Sequence, residues 1–209
     1  MLIGHQKGRS SRQRLACNFG MPRPEGYRKA LRLVGLAEKF GFPVVCLIDT
    51  PGASPDLESE QRGQARAIAE SLKVMATLHV PIVSVIIGEG GSGGALALAL
   101  ADRVLVLEHA IYTVAAPEAA ASILWRDSAL AAQAAEAMQV SAQNLLETGV
   151  IDGIIPEPAG GAHLDYTASA QLLMQQLRLS LAELASIPGN ELLHMRHAKF
   201  RRIGYFSVR

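Results

Sequence analysis

The sequence predicts an α/β fold in which helices pack on a parallel-type sheet. Three runs, at residues 44–48, 81–87 and 104–107, are apolar at almost every position, as is typical of strands buried on both faces. Segments with apolar residues at helical spacing alternate with these runs, and this alternation indicates a parallel sheet. With 209 residues, of which 49% are hydrophobic, the chain can bury one sizeable core as one domain.

Start and stop signals bracket the helices predicted in the first half of the chain. Residues 25–40 carry an apolar side, with Pro22 and Pro24 before it and Gly41 and Pro43 after it. The strand at 44–48 follows and ends in a turn at residues 49–53. Residues 64–78 again have apolar positions at helical spacing and precede the strand at 81–87. Residues 1–3 have strand character, so we expect further chain before Met1.

The second half continues the same alternation. Strands are predicted at 104–107, 111–114 and 150–155, and Pro117 is suited to the first turn of a helix through residue 125. Ser141 and Gly149 bracket a short helix. Residues 166–185 repeat leucines at helical spacing, and a basic helix follows from Asn190. We therefore predict one domain over 1–209 with a helical tail from about residue 166, and we expect a solvated face for the basic part of that tail.

Composition argues against several classes of protein. A formal net charge of +1 supplies no overall basic field for nucleic acid or a membrane surface. Cys17 and Cys46 are too few for a disulfide scaffold or a four-thiolate zinc site, and we interpret both as free thiols in a reducing compartment. Glycines and Asp102 interrupt the apolar residues between 80 and 107, so no run has the length of a membrane span. We expect a cytoplasmic protein without a metal, membrane or nucleic-acid site.

Residues 88–94, which read Gly-Glu-Gly-Gly-Ser-Gly-Gly, join a buried strand to an alanine-rich helix. We expect a turn here, with the helix starting near Ala95. One interpretation is a dinucleotide cradle, because the segment satisfies GxGxxG and Glu108 ends the next strand. The helix after it is short for a nucleotide-binding unit, and an earlier strand precedes the motif, so this interpretation is disfavoured.

A second interpretation is a nucleophile elbow, since residues 90–94 fit GxSxG with Ser92 at the centre. A serine nucleophile needs a histidine base oriented by a carboxylate. Histidines follow at 109, 163, 194 and 197, but none has a distinctive context. Ser92 is otherwise a turn residue that supports the helix start.

The third interpretation is an oxyanion hole, which requires only backbone N–H groups at a helix N-terminus. It also predicts a second donor from a neighbouring strand end. Residues 49–53, Asp-Thr-Pro-Gly-Ala, supply a second glycine turn there. Two such turns at adjacent strand ends can face one thioester oxygen, although glycine also serves close packing of helix on sheet.

Several motifs in order resemble the carboxyltransferase α subunit of multi-subunit acetyl-CoA carboxylase, over nearly the whole chain. They are GHQKGR at 4–9, NFGMP at 18–22, PEGYRKA at 24–30, IDTPGA at 48–53, GEGGSGGALA at 88–97, ASILW at 121–125, IIPEP at 154–158 and GGAH at 160–163. This resemblance implies a crotonase-like (ClpP-like) fold of repeated ββα units. It also implies transfer of carboxylate from carboxybiotin to acetyl-CoA, which gives malonyl-CoA for fatty-acid synthesis.

The family resemblance implies several partners. Carboxybiotin arrives on a separate biotin carboxyl carrier protein, where biotin carboxylase forms it, and the coenzyme A thioester is the other substrate. A β subunit carries the zinc ribbon, so no metal is expected on this chain, and the two subunits form an α2β2 heterotetramer. Both reactants develop negative charge on an oxygen, so two oxyanion holes are expected, and the released biotin can take the methyl proton.

The resemblance assigns roles to individual residues. Gly93 and Gly94 correspond to the oxyanion pair of the α subunit, while Gly90, Gly91 and Ser92 shape the turn. We add Gly52 and Ala53 to the pocket. Lys7 and Arg9 are candidates for contacts with the phosphates of coenzyme A or with the transferred carboxylate.

The chain also departs from the family pattern. Ser54-Pro55-Asp56 stands where the family has Tyr-Pro-Gly, and Ala116-Pro117-Glu118-Ala119-Ala120 stands where it often has Ser-Pro-Glu-Gly-Cys. Compared with the family, we expect this sequence to lack the usual helical N-terminal region and the first strand, which would precede Met1. A non-catalytic paralog that binds a β-type partner and an acyl-CoA hydrolase of the same fold therefore remain alternatives.

Overall fold

A parallel sheet forms the centre of residues 1–204, the part of the chain that the computed structural model describes. Its strands are β1 (Leu2–Gly4), β2 (Val44–Thr50), β3 (Ile82–Gly91), β4 (Arg103–Leu107), β5 (Ile111–Thr113) and β6 (Gly153–Ile155). The order is β1-β2-β3-β4-β6, and β5 pairs with the end of β3. All these strand pairs are parallel, which confirms the predicted α/β class.

Helices pack on this sheet and on one another. They are α1 (Ser11–Ala16), α2 (Pro24–Phe40), α3 (Leu57–Gln61), α4 (Gln64–Thr77), α5 (Ser92–Ala99), α6 (Pro117–Trp125), α7 (Ala131–Met138), α8 (Ala142–Glu147), α9 (Tyr166–Ala185) and α10 (Gly189–Arg201). Short 3-10 turns lie at Asn18–Gly20 and Ser128–Leu130. Within the described part of the chain, every helix falls short of the length or hydrophobicity that a membrane crossing requires.

The longer helices agree with the sequence prediction, and so do the short helices α6 and α8, whereas α1, α3 and α7 were not predicted. The prediction of helices at 25–40, 64–78 and 166–185 is confirmed to within one residue at each end. The helices α1, α3 and α7 were missed because they are too short for a periodic pattern. Ser10 and Gln13 form a capping box around α1, and Asp56 caps α3 at Ser59. These local caps were the signal available in the sequence.

Two strand boundaries in the second half of the chain also differ from the prediction. The last strand, β6, covers only the second half of the predicted 150–155 segment. The N–H groups of Val150 and Ile151 instead donate to the carbonyl of Leu145, at 2.9 and 3.3 Å, and so close the turn after α8. The fifth strand, β5, ends at Thr113.

The core lies around β3, whose residues from Ile82 to Ile86 are all buried. In contrast, β2 alternates between buried and half-buried positions, so only one of its faces is fully covered. Leu184 of α9 and Leu192 of α10 belong to the same hydrophobic cluster as the sheet. The predicted helical tail therefore packs on the main core. Residues 205–209 of the predicted 1–209 domain lie outside the described residues.

The carboxyl ends of β1, β2 and β3 meet at one edge because the strands are parallel. Lys7 follows β1, the turn at residues 51–53 follows β2, and α5 begins directly after β3. This edge gathers the sequence motifs that were singled out for chemistry. It is the usual position of ligand sites in open α/β sheets.

Candidate active site

The junction between β3 and α5 is the first component of the site. We predicted a turn over 88–94 and a helix from Ala95, and this boundary is wrong: β3 extends to Gly91 and α5 begins at Ser92. The strand continues because Gly90 and Gly91 still pair, with Tyr112 and Thr113 of β5. Gly93 and Gly94 therefore lie in the first turn of the helix.

Close backbone packing explains two of these glycines. A Cβ atom at Gly91 would lie 2.0 Å from the Pro51 carbonyl oxygen, and one at Gly94 would lie 2.4 Å from the Ala53 nitrogen. Both contacts are with backbone, which cannot move aside as a side chain can. The turn after β2 thus packs directly against the junction between β3 and α5. The prediction that two glycine turns at adjacent strand ends lie together agrees with this geometry.

Gly93 has a different environment. A Cβ atom there would meet the Ile68 side chain at 3.6 Å, which is an ordinary van der Waals contact. Packing therefore does not require glycine at this position. Gly93 also lines a cavity, as described below, so its backbone faces open space.

Unpaired N–H groups make the start of α5 suitable for binding an anion. The first N–H groups of a helix have no carbonyl partner within it, and no side chain caps α5 at its N-cap residue Gly91. The helix dipole adds partial positive charge at the same end. Tyr27 fixes the first turn from below, because its buried hydroxyl donates to the Gly94 carbonyl at 3.3 Å. Burial raises the pKa of Tyr27, which keeps that donor protonated.

The turn after β2 offers one further N–H group. The Thr50 hydroxyl accepts from the Gly52 N–H at 3.1 Å and donates to the Gly52 carbonyl at 2.6 Å. The Gly52 amide is therefore used to close its own turn. The Ala53 N–H has no acceptor among residues 1–204. Of the two residues that we added to the pocket, Ala53 is thus the one with a free donor.

The two basic candidates occupy different surroundings. Lys7 contacts the carboxylates of Asp49, at 3.1 Å, and Glu89. Burial lowers the pKa of Lys7, but its bonds to Glu89 and Asp49 outweigh this effect and raise it overall. Arg9 is exposed, and its guanidinium lies 5.2 Å from the centre of the Tyr166 ring. Lys7 is therefore bound by carboxylates near the carboxyl ends of β2 and β3, while Arg9 contacts the start of α9.

An apolar cavity of about 530 Å³ opens beside the helix start. Ser92, Gly93 and Thr113 are the residues in its wall without a mainly apolar side chain, and the other wall residues are hydrophobic or aromatic. These are Leu96, Ala99, Val104, Tyr112, Val114, Met138, Val140, Leu145, Val150, Phe200 and Ile203. The amide-bearing end of α5 therefore faces a space that is otherwise poor in hydrogen-bond partners.

The two competing interpretations of the glycine segment lack support from this geometry. Ser92 has a φ of 54°, the left-handed conformation of an elbow serine, but the cavity wall contains no histidine or carboxylate to act as a base. Gly88–Gly91 is extended strand and α5 is only eight residues long, so the dinucleotide turn does not form. Glu108 is also bonded to the backbone N–H of Glu157.

Ser54, which stands where the family has tyrosine, is built into the turn. It is buried, accepts from the Asn18 side chain at 2.9 Å and donates to the Asp56 carboxylate. That bond and the Ser59 N–H lower the pKa of Asp56 to about 2. The substitution therefore replaces an aromatic side chain by a small hydrogen-bonded residue.

The main error in the sequence analysis concerns Arg196. We expected the basic tail to present a solvated face, but the Arg196 side chain is fully buried and paired with Asp102. It donates to both Asp102 oxygens at 2.9 Å and to the carbonyls of Met75, Leu78 and Val80. An aspartate directly after an apolar helix was the only sequence signal for this pair. His197 does lie near the surface, and its ring nitrogen contacts the Ala76 carbonyl at 2.9 Å.

The sheet topology and the site define the class of protein, a crotonase-like α/β fold with a backbone-amide site. Solved structures with this fold include a malonate decarboxylase hetero-dimer from Pseudomonas, with a TM-score of 0.71, 21% identity and coverage of 87% of this chain and 75% of that chain. Another is transcarboxylase 12S, with a TM-score of 0.69, 22% identity and coverage of 80% and 32%. These likenesses support the fold.

Sequence comparison identifies the family within that class. Residues 1–204 match the acetyl co-enzyme A carboxylase carboxyltransferase-like family, and the chain belongs to it. The acetyl-coenzyme A carboxylase carboxyl transferase subunit alpha of Methylococcus capsulatus is 54% identical over 99% of this chain and 64% of its own length. The protein of the same name from Erythrobacter litoralis is 55% identical, over 98% and 65%. The chain thus spans just under two thirds of these curated relatives.

Proposed function

We propose that the chain acts as the α subunit of an acetyl-CoA carboxylase carboxyltransferase. In this role it contributes half of a composite site in which carboxylate passes from carboxybiotin to acetyl-CoA and malonyl-CoA is formed. The observation that carries the proposal is the start of α5. Its first N–H groups have no capping side chain, and Gly93 in its first turn lines an apolar cavity, in a chain that belongs to this family.

The chain's own contribution is electrostatic. The N–H groups of Gly93 and Gly94 stabilise an oxygen that becomes negative during the reaction, because they are already oriented and little water competes for them. The dipole of α5 favours the same charge. Gly90, Gly91 and Ser92 hold these amides in place, and the turn at Gly52 and Ala53 supports them from the neighbouring strand end. No side chain of this chain needs to act as a base.

The cavity suits the two reactants. Carboxybiotin, bound to its carrier protein, supplies the carboxylate group that is transferred. Gly93, Leu96 and Tyr112 would hold its fused rings, because an apolar wall can pack against the carbon and sulfur atoms of the rings while a single cluster of N–H donors binds the ureido oxygen. Burial raises the pKa of Tyr112 to about 12, so its ring remains uncharged. The ammonium group of Lys7 is already paired with the carboxylates of Asp49 and Glu89, which reduces its attraction for a further anion. We therefore propose that Arg9 binds the phosphates of coenzyme A.

Related proteins support a coenzyme A thioester as substrate and a second subunit as partner. The transcarboxylase 12S structure contains methylmalonyl-coenzyme A, and the malonate decarboxylase structure is a hetero-dimer. On this chain, Ile123 and Leu124 of α6 are 76% and 64% exposed, which is favourable for an interface. We propose that a zinc-ribbon β subunit completes the site in an α2β2 assembly. The biotin carboxyl carrier protein and biotin carboxylase act with it, and the reaction takes place in the cytoplasm.

Reconstitution tests this function directly. The 209-residue chain is mixed with the β subunit from the same genome, carboxylated biotin carrier protein and acetyl-CoA, and malonyl-CoA is measured. We expect product only when both subunits are present. Propionyl-CoA in place of acetyl-CoA serves to test the acceptor. A stable αβ complex without turnover would refute the catalytic proposal and support the non-catalytic alternative, and hydrolysis of acetyl-CoA without carboxylation would support a hydrolase.

A further inference from the structure

A group of polar side chains lies beneath the turn that follows β2, and its centre is Asp49. The Asp49 cluster consists of His5, Lys7, Asp49 and Glu89, from the ends of β1, β2 and β3. One carboxylate oxygen of Asp49 accepts from the Glu89 N–H at 3.0 Å and from Lys7 at 3.1 Å. The Asp49 N–H donates to the His5 ring at 3.4 Å. Asp49 thus connects three strand ends through its backbone and its side chain.

The cluster lies where regular pairing of β2 with β3 stops. Ile48 pairs with Ile86, but Thr50 pairs with Gly90, so Asp49 alone faces the three residues 87–89 of β3. The ladder is interrupted at this bulge, and the Glu89 N–H needs another acceptor. The Asp49 carboxylate is that acceptor. The cluster therefore replaces the missing ladder bonds immediately before the two strands reach the active site.

Two glycines provide space for Asp49. A Cβ atom at Gly88 would lie 2.7 Å from the Asp49 carboxylate oxygen that receives these bonds. A Cβ atom at Gly20, where φ is +81°, would lie 3.0 Å from the Asp49 carbonyl oxygen. The chain thus approaches Asp49 closely from β3 and from the turn before α2.

We propose that Asp49 is a positioning residue for the amide site. It holds the bulge of β3 and the end of β2 together, so that Pro51 stays against Gly91 and Ala53 stays against Gly94. Asp49 does not line the apolar cavity and acts through the turn. The inference rests on the proposed function for its catalytic consequence, while its structural part is measurable without turnover.

Two variants distinguish a positioning role of Asp49 as a hydrogen-bond acceptor from a requirement for its negative charge. Asp49→Ala removes the acceptor, whereas Asp49→Asn keeps an oxygen that can accept from Glu89 and Lys7. We expect Asp49→Ala to lower kcat with the β subunit by about 10²-fold, because displacement of about 1 Å is enough for such a loss, and we expect Asp49→Asn to recover most of it. The matched control is Glu38→Ala, which also removes a carboxylate acceptor. The Glu38 carboxylate also accepts a backbone N–H, from His79 at 3.0 Å, but it lies at the end of α2.

Amide hydrogen exchange provides the readout that does not depend on activity. Exchange in residues 50–53 and 89–94 should be faster in Asp49→Ala than in the wild type and unchanged in Glu38→Ala. Wild-type exchange in Asp49→Ala would overturn the proposal. Equal loss of turnover in Asp49→Ala and Asp49→Asn would also overturn it, since charge would then be the requirement. If the wild-type pair shows no turnover, the proposed function fails, and the exchange comparison still decides the role of Asp49.

Discussion

The two ends of β3 are built in opposite ways. At the amino end, the Ile82 N–H donates to the buried Asp102 carboxylate at 2.7 Å, and Asp102 is paired with Arg196. At the carboxyl end, Gly91 leads into α5, whose first N–H groups have no capping side chain. One end is held by charged side chains with every donor used. The other presents backbone donors that are free to bind a ligand.

The charged end is fully satisfied despite its burial. The guanidinium of Arg196 has five N–H donors, and all five have acceptors: two go to Asp102, one to the Met75 carbonyl in the last turn of α4, and two to the carbonyls of Leu78 and Val80 after that helix. A buried charge without partners is costly, whereas a fully bonded pair is tolerated. This anchor ties α10 to the sheet and to the end of α4.

The glycine end relies on backbone contact. Gly91 and Gly94 pack against the backbone of residues 51–53, and no side chain caps the first N–H groups of α5. The comparison teaches that one strand can serve for anchoring at one end and for binding at the other. It predicts that variants at the amino end affect stability first, while variants at the carboxyl end affect the rate first.

The largest expected effect is at the anchor. Arg196→Met keeps the volume of the side chain but leaves the Asp102 charge buried and unpaired, which should lower the free energy of unfolding by about 3–5 kcal/mol. Urea denaturation measures the change. Adding Asp102→Asn should recover part of the loss, because the uncompensated charge is then removed.

Arg66→Met is the control for the anchor. Arg66 is also paired with a carboxylate, Glu70 at 2.7 Å, but its side chain is 80% exposed. We expect a much smaller loss of stability, since water screens and solvates exposed ion pairs. Similar losses in Arg196→Met and Arg66→Met would contradict the interpretation of the amino end.

The next effect is on the rate and concerns Gly93. Gly93→Pro removes one N–H donor, which should lower kcat by about 10²–10³-fold in the reconstituted reaction. Gly93→Ala keeps the donor and has room for the methyl group, so it should remain close to the wild type. Gly94 is less suitable, because any Cβ there would clash with the turn after β2.

The comparison of Gly93→Pro with Gly93→Ala is informative only when both variants fold as the wild type does. Proline also restricts Ser92, whose φ is 54°, so the melting temperature of both variants is compared with that of the wild type. Equal turnover by the proline and alanine variants would show that the Gly93 amide is not used.

The smallest effect is a pH dependence of stability from His5. Burial lowers the pKa of His5 below its ordinary value of 6.5, although the nearby Asp49 carboxylate acts in the opposite direction and Lys7 adds to the lowering. The unfolded chain therefore binds a proton more readily than the folded chain. The contribution is fully present above pH 6.5 and is lost as the pH falls through the lowered folded value.

Urea midpoints between pH 7 and pH 5 measure this contribution. We expect a steeper decrease toward pH 5 in the wild type than in His5→Gln, which has no titrating ring in the Asp49 cluster. If the urea midpoints of the two proteins decreased equally between pH 7 and pH 5, His5 would not be the source of the pH dependence of stability.

Local sequence signals predicted the parts of the fold that depend on neighbouring residues. Pro24 and Gly41 mark the helix at 24–40, because proline fixes a φ that suits the first helical turn and glycine permits the left-handed conformation that ends the helix. The glycine segment at 88–94 was recognised, but the helix start at Ser92 was not. Pairing of Gly90 and Gly91 with β5 extends the strand, and that partner is more than twenty residues away.

The sequence by itself determined the α/β pattern, the strand ends at which the glycine turns stand, and the family motifs around them. Only the tertiary structure decided that Asp49 bridges the bulge of β3 and that Arg196 is buried against Asp102, 94 residues away. Helix and strand patterns report on residues that are close along the chain. Whether a charged side chain is solvated or fully bonded depends on which distant carbonyls and carboxylates the packed helices bring to it.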